Sequence, residues 1–127
     1  SKAYLYAGVE IRWKCAASLA SEDVPAEATF QFPGGLADHL TEQLGERECV
    51  TAKFFSGSQD FPRGDDGEEM GRAEWAVAWP LWSDGSFSWY CNTIPTHDGG
   101  THEQGLRAAL VKGIRAFGEL VGVKKAK

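Results

Sequence analysis

Residues Asn92–Leu110 read NTIPTHDGGTHEQGLRAAL. Two glycines stand between two histidines, and a run with helical spacing follows at once. Thr101-His102-Glu103-Gln104 has the form T-x-x-Q. A Thr at the N-cap and a Gln three residues later exchange side-chain and backbone hydrogen bonds in a capping box. Such a cap is worth about 1 kcal/mol. Gly99 and Gly100 permit the sharp reversal just before it. The stretch therefore predicts a strand-to-helix corner. Asp98, Gly99, Gly100, Thr101, His102 and Gln104 form the corner and cap, and a long helix runs from about His102 to Val121.

Three chemical readings of the same corner are weaker. Helix N-termini bind anions, but no G-x-x-x-x-G-K-[ST] occurs, no lysine sits in the corner, and Asp98 places negative charge where a phosphate would lie. His97 and His102 lie five residues apart, which is no zinc spacing, and nearby Cys91 belongs to a strand pattern. A Cys–His nucleophile pair lacks any orienting partner that the sequence shows. No catalytic residue and no metal ligand are assigned.

The helix turns by about 100° per residue. Leu106, Leu110, Gly113, Ile114, Phe117 and Val121 then share one side as a core face. Arg107, Lys112 and Arg115 fall on the other. A solvated amphipathic helix is the commoner meaning of such a pattern. The functional meaning is contact with a polyanion, and three charges guide more than they grip. Lys124, Lys125 and Lys127 extend the basic character beyond the helix.

Upstream, Val9, Ile11, Trp13 and Cys15 alternate with Glu10, Arg12 and Lys14, which predicts a half-buried strand. Phe30 and Phe32 mark a second strand that Pro33 stops. Leu36, Leu40 and Leu44 recur at helical spacing, with Gly45 as the stop. His39 in this helix reads as a surface or boundary residue. Val50, Ala52 and Phe54 read as a third strand. Ser56–Gly71, SGSQDFPRGDDGEEMG, is rich in glycine and acid and reads as a mobile loop. Its acidic run misses the spacing of a calcium loop. Trp75, Val77 and Trp79 form the next strand. Ser83-Asp84-Gly85-Ser86 is a hairpin signal, leading into Phe87, Trp89 and Cys91. The order is strand, strand, helix, three strands, helix, which is α+β: a mostly antiparallel sheet with two helices on one face.

The chain has 127 residues, enough for one domain with one core. Thirteen Lys and Arg face eighteen Asp and Glu, a formal net charge of -5. That argues against a wholly basic nucleic-acid-binding surface but leaves room for one basic face. Cys15, Cys49 and Cys91 are odd in number and not spaced as CxxC, which fits thiols in a reducing cytoplasm. No apolar run approaches a membrane span. The opening on Ser1 rather than Met suggests a piece of a longer chain.

The corner also carries a resemblance. Asn92-Thr93-Ile94-Pro95-Thr96, then Asp98-Gly99-Gly100-Thr101-His102, then Gly105-Leu106-Arg107-Ala108-Ala109-Leu110 resemble the transducer domain of the B subunits of bacterial type IIA DNA topoisomerases. That family comprises DNA gyrase B and the topoisomerase IV B subunit (ParE). Gly8-Val9-Glu10-Ile11 and Phe32-Pro33-Gly34-Gly35-Leu36 are similar to its earlier elements, so the resemblance spans nearly the whole chain. Ile94-Pro95-Thr96 and the Trp-rich WAVAWPLWSDGSFSWYCNT are closer to the topoisomerase IV branch.

The resemblance implies a fold like domain 2 of ribosomal protein S5. It implies a single domain over 1–127, incomplete at its C-terminal end, that follows an ATPase domain. Its role would be to frame the cavity through which DNA passes and to relay nucleotide state. Implied partners are DNA, the ATPase and toprim domains of the same chain, the topoisomerase IV A subunit and a second B subunit. ATP and Mg²⁺ would serve the full enzyme, with no cofactor in this piece, because the family's Gln-Thr-Lys loop does not occur here. The piece alone would be inactive. The family often has a basic residue where this chain has His97. His97, Arg107, Lys112 and Arg115 are the expected DNA-facing residues. A rival of another class is a free-standing S5-like nucleic-acid-binding module, and a third is a transfer enzyme using His97 or His102.

Overall fold

The computed structural model describes residues 2–123. Lys124, Lys125 and Lys127 lie outside the described residues. The chain divides into two compact units, residues 1–84 and residues 85–127. Ladders are antiparallel throughout, and two helices accompany them, so the class is α+β.

In the first unit, β1 (Glu10–Lys14) pairs with β2 (Glu27–Gln31). Period-2 alternation puts Ile11 opposite Phe30 and Trp13 opposite Ala28 on one face. Charges occupy the other face, where Lys14 meets Glu27 at 2.6 Å. The Trp13 indole N–H donates to the Pro25 carbonyl at 3.0 Å and pins the connection to the ladder.

Helix α1 (Leu36–Leu44) begins after Gly35, whose φ of 60° only glycine adopts easily, and stops at Gly45, φ 57°. Leu36, Leu40 and Leu44 are half-buried, as their spacing predicts. The helix packs on β4 and on a 3-10 turn at Ala3–Leu5. His39 sits at the boundary, with 23% of its side chain exposed. Its ring lies flat on Tyr4, with centroids 3.6 Å apart and planes 4° from parallel. Burial pushes its pKa below the ordinary 6.5, against an opposing pull from Glu42. A folded-state pKa below the unfolded one makes stability full above about pH 6.5 and lost as pH falls below it, because the unfolded chain takes up the proton first. Unfolding between pH 7.5 and 5.5 should show this decline, and His39→Phe, which keeps a ring on Tyr4, should flatten it.

The largest departure from expectation is Ser56–Gly71. It is not a mobile loop. β3 (Phe55–Arg63) and β4 (Glu69–Val77) form a nine-pair hairpin in register from Phe55↔Val77 to Arg63↔Glu69. Glycine, proline and aspartate have poor strand propensity, yet cross-strand partners compensate for them. Gly57 faces Trp75 and Gly71 faces Phe61, so an aromatic ring lies over each bare backbone. On the opposite face Arg72 binds three partners: Glu74 at 2.8 Å, Ser58 at 3.0 Å and Asp60 at 3.4 Å. Gly64 and Gly67, both with positive φ, make the reversal at the tip. The expected strand at Val50–Phe54 is not formed. Residues 50–53 bend instead, and a Cys49↔Pro80 bridge ties this segment to the end of the unit.

In the second unit Gly85 has the left-handed φ expected of an Asp-Gly turn, 80°. Phe87 and Trp89 nevertheless lie outside any strand. Among the described residues of this unit, pairing is confined to β5 (Tyr90–Cys91) and β6 (Ile94–Pro95). Between them Asn92 and Thr93 have φ of 47° and 69°, the sign pattern of a tight two-residue hairpin turn. A β-branched residue pays steric strain there of about 1–2 kcal/mol. Thr93→Gly should therefore raise the unfolding midpoint, by roughly 1 kcal/mol of stability in a denaturant titration. Helix α2 (Thr101–Leu120) closes the unit. Its expected core face is only partly covered. Leu106 and Leu110 are half-buried, whereas Ile114, Phe117 and Val121 are exposed. The antiparallel pairing is thus distributed over three two-stranded ladders.

Candidate nucleic-acid interface

The corner before α2 forms for reasons the sequence half disclosed. Gly99 (φ 75°) and Gly100 (φ 154°) make the reversal. Gly100, not Thr101, is the N-cap, and no side chain caps the helix. The predicted Thr101–Gln104 capping box is therefore not made. The extended Gly100 takes the cap position, which moves Thr101 into the first turn and makes the Gln104 N–H the donor to the Gly100 carbonyl, at 3.1 Å. Glu103, rather than Gln104, occupies the third helical position, where a carboxylate meets the positive end of the helix dipole.

Side chains then close a circuit around the corner. Glu103 lies against Gly99, where an added Cβ would sit 3.1 Å from its Cδ. His102 covers Gly100 in the same way, 2.8 Å from an added Cβ. The His102 Nε2 and the Thr96 hydroxyl are 3.0 Å apart. Trp89 stands edge-on to His102, with centroids 6.2 Å apart. Glu103 accepts from Arg107 Nε at 2.7 Å, an i,i+4 pair. The Arg107 guanidinium lies over the Phe87 ring at 4.3 Å and near the Trp89 ring at 5.7 Å. Phe87 and Trp89 stack within 7° of parallel.

This geometry sorts the expected DNA-facing residues. Arg107 is committed to Glu103 and to two aromatic faces, with 48% of its side chain left exposed. Helical phase explains why: it sits about 20° from Ile114, at the border of the apolar stripe. Lys112 and Arg115 lie about 60° apart on the solvent side. Both are exposed, with no ion pair to either among the described residues. His97 and Asp98 are exposed at the turn before the helix. The carboxylates of Asp98 and Glu103 flank the helix start, so the free N–H groups there do not suit a phosphate. Among the described residues no group of three His, Cys, Asp or Glu gathers as for a metal ion.

Sequence reasoning missed Phe87, Trp89 and Glu103 as parts of this corner. The Glu103–Arg107 spacing was the available signal. The aromatic contacts had none, because Phe87 and Trp89 join α2 through an irregular backbone.

A family described as DNA gyrase B matches residues 35–127. The chain is 46% identical over 129 residues to the B subunit of DNA topoisomerase 4 from Caulobacter vibrioides, covering 98% of this chain and 18% of that protein. It is 46% identical over 128 residues to the protein of the same name from Bartonella bacilliformis, covering 99% and 18%. Against the DNA gyrase B subunit of Mycobacterium tuberculosis the identity is 33% over 89 residues, 70% of this chain and 12% of that one. The chain thus spans under a fifth of the length of these relatives. With the D-G-G-T-H corner and the α2 arginine in place, the match over residues 35–127 shows that the chain belongs to the DNA gyrase B family of type II topoisomerase B subunits.

Proposed function

We propose that this chain is the transducer portion of a topoisomerase IV B subunit, a cytoplasmic enzyme that uses ATP to pass one DNA segment through another. Within it, the second unit presents the solvent face of α2 to the transported DNA. The observation that carries this reading is the division of labour on α2. Arg107 braces the corner, and Lys112 and Arg115 remain available for phosphates. His97 at the preceding turn adds a third polar contact. The ATPase and toprim domains, the A subunit and a second B subunit complete the enzyme.

ATP and Mg²⁺ belong to the whole enzyme. Asp98 and Glu103 make the helix start here unfit for a triphosphate, and no Gln-Thr-Lys occurs in the chain. This portion alone therefore hydrolyses nothing.

The test is charge reversal at Lys112 and Arg115 in the full-length B subunit assembled with its A subunit. DNA-stimulated ATP hydrolysis should fall while DNA-independent hydrolysis stays. The slope of log affinity for DNA against log salt should shrink by about 2, roughly 0.9 for each phosphate no longer neutralised. Unchanged stimulation and slope defeat the assignment. A free-standing nucleic-acid-binding module would instead show strong, salt-dependent DNA binding by the 127-residue chain alone.

A further inference from the structure

Ala3 and Tyr4, at 1% and 8% exposure, are the buried residues among those described. They lie in a three-residue 3-10 turn near the start of the chain. A 3-10 turn this short has little hold of its own. This one is clamped by rings from two other elements. Tyr4 stacks face to face on His39 of α1. Phe32, just after β2, stands perpendicular to both, 5.9 Å from Tyr4 and 5.8 Å from His39. The His39 Nδ1 is shielded from solvent and has no hydrogen-bond partner, and the Glu42 carboxylate lies 3.9 Å away. The imidazole and the Tyr4 ring meet face to face. Such a contact can slide in its plane while remaining packed. Beyond it, α1 packs on β4, and β4 carries the long hairpin.

We propose that Tyr4 is a positioning residue through which the polypeptide leading into this domain displaces α1 and, through α1, the β3–β4 hairpin. This rests on the relay role proposed above and names a point at which movement of the preceding segment enters the domain. Movement of the leading segment shifts the 3-10 turn. The tyrosine ring carries that shift to His39, and the rigid helix delivers it to β4. Coupling of this kind needs packed elements with alternative arrangements rather than a chain of bonds.

The test uses full-length B subunit with its A subunit and reads strand passage per ATP hydrolysed. Tyr4→Ala should lower that ratio about tenfold, within the usual range of coupling energies, with DNA-independent hydrolysis unchanged. Tyr4→Phe, which keeps the ring face, should restore it. Leu40→Ala, in the same helix but outside the ring cluster, is the stability control. If Leu40→Ala with the same drop in Tm lowers the ratio equally, or if Tyr4→Ala leaves it intact, the proposal is overturned. Should Tyr4→Ala fail to fold, Tyr4→Leu fills the site without a ring and is judged by the same criterion. A wild-type enzyme whose hydrolysis does not respond to DNA overturns the relay reading itself. A coupled wild type beside a coupled Tyr4→Ala overturns only the assignment of Tyr4.

Discussion

Trp75→Ala is expected to cost the first unit about 2–3 kcal/mol, below the 3–5 typical of a fully buried Trp because this one is half-buried. The indole does three things at once. It covers the bare backbone of Gly57 directly across the ladder, where an added Cβ would come within 3.0 Å of its ring. It meets Phe55 diagonally, with centroids 6.0 Å apart. It also lines the cleft between the hairpin and the start of α1. Removing it exposes a glycine backbone bond to water and detaches the hairpin from the helix. Chemical denaturation should give a lower midpoint, and amide exchange should rise first at residues 55–59 and 73–77. Trp75→Phe should recover most of the loss. A midpoint unchanged by Trp75→Ala would mean that the hairpin stands on its backbone ladder alone.

Trp89→Ala is the corresponding lesion in the second unit, also expected at about 2–3 kcal/mol for a half-buried indole. Trp89 touches Phe87, His102 and Arg107, so its loss opens the circuit around the D-G-G corner at three points. Cation–π contacts at partly exposed sites are worth about 0.5–1 kcal/mol each, so most of the effect comes from lost apolar packing. The first turn of α2 should fray, seen as faster exchange at residues 104–107, whose N–H groups make the first helical hydrogen bonds, while the middle of the helix stays protected. Arg107→Ala should show a milder version with the same pattern. Arg107→Lys should not rescue it, because an ammonium neither stacks on the rings nor matches the carboxylate with a planar fork.

Much of this was legible in the residues. Helix α1 was readable from Leu36, Leu40, Leu44 and Gly45, and α2 from its long apolar stripe. The family was readable from the D-G-G-T-H corner. The β3–β4 hairpin was not, because its strand-forming power resides in pairs. Gly57 and Gly71 look like breakers until Trp75 and Phe61 are placed over them, and that placement needs a register that no single strand displays. The turn at Asn92–Thr93 was hidden for a related reason. Thr is a poor choice for positive φ, so nothing local announced a reversal there. The capping box failed by one position. Two glycines in a row gave the chain a choice of where to begin the helix, and the polar pattern alone did not decide between them. Arg107 was assigned to DNA from helical phase. Its phase, about 20° from Ile114, already places it at the border of the apolar stripe rather than with Lys112 and Arg115.

The three ladders share one property that bears on how the molecule is made. Each joins strands that are neighbours in the chain, and the longest is a plain hairpin closed at Gly64–Gly67. Little loop entropy must be lost before contacts begin to form. Topologies dominated by such local contacts fold quickly, and isolated hairpins close in about 1–10 μs. Synthesis adds only about 5–20 residues per second. The hairpin can therefore zip, once Val77 has left the ribosome, before the next residue is added to the growing chain.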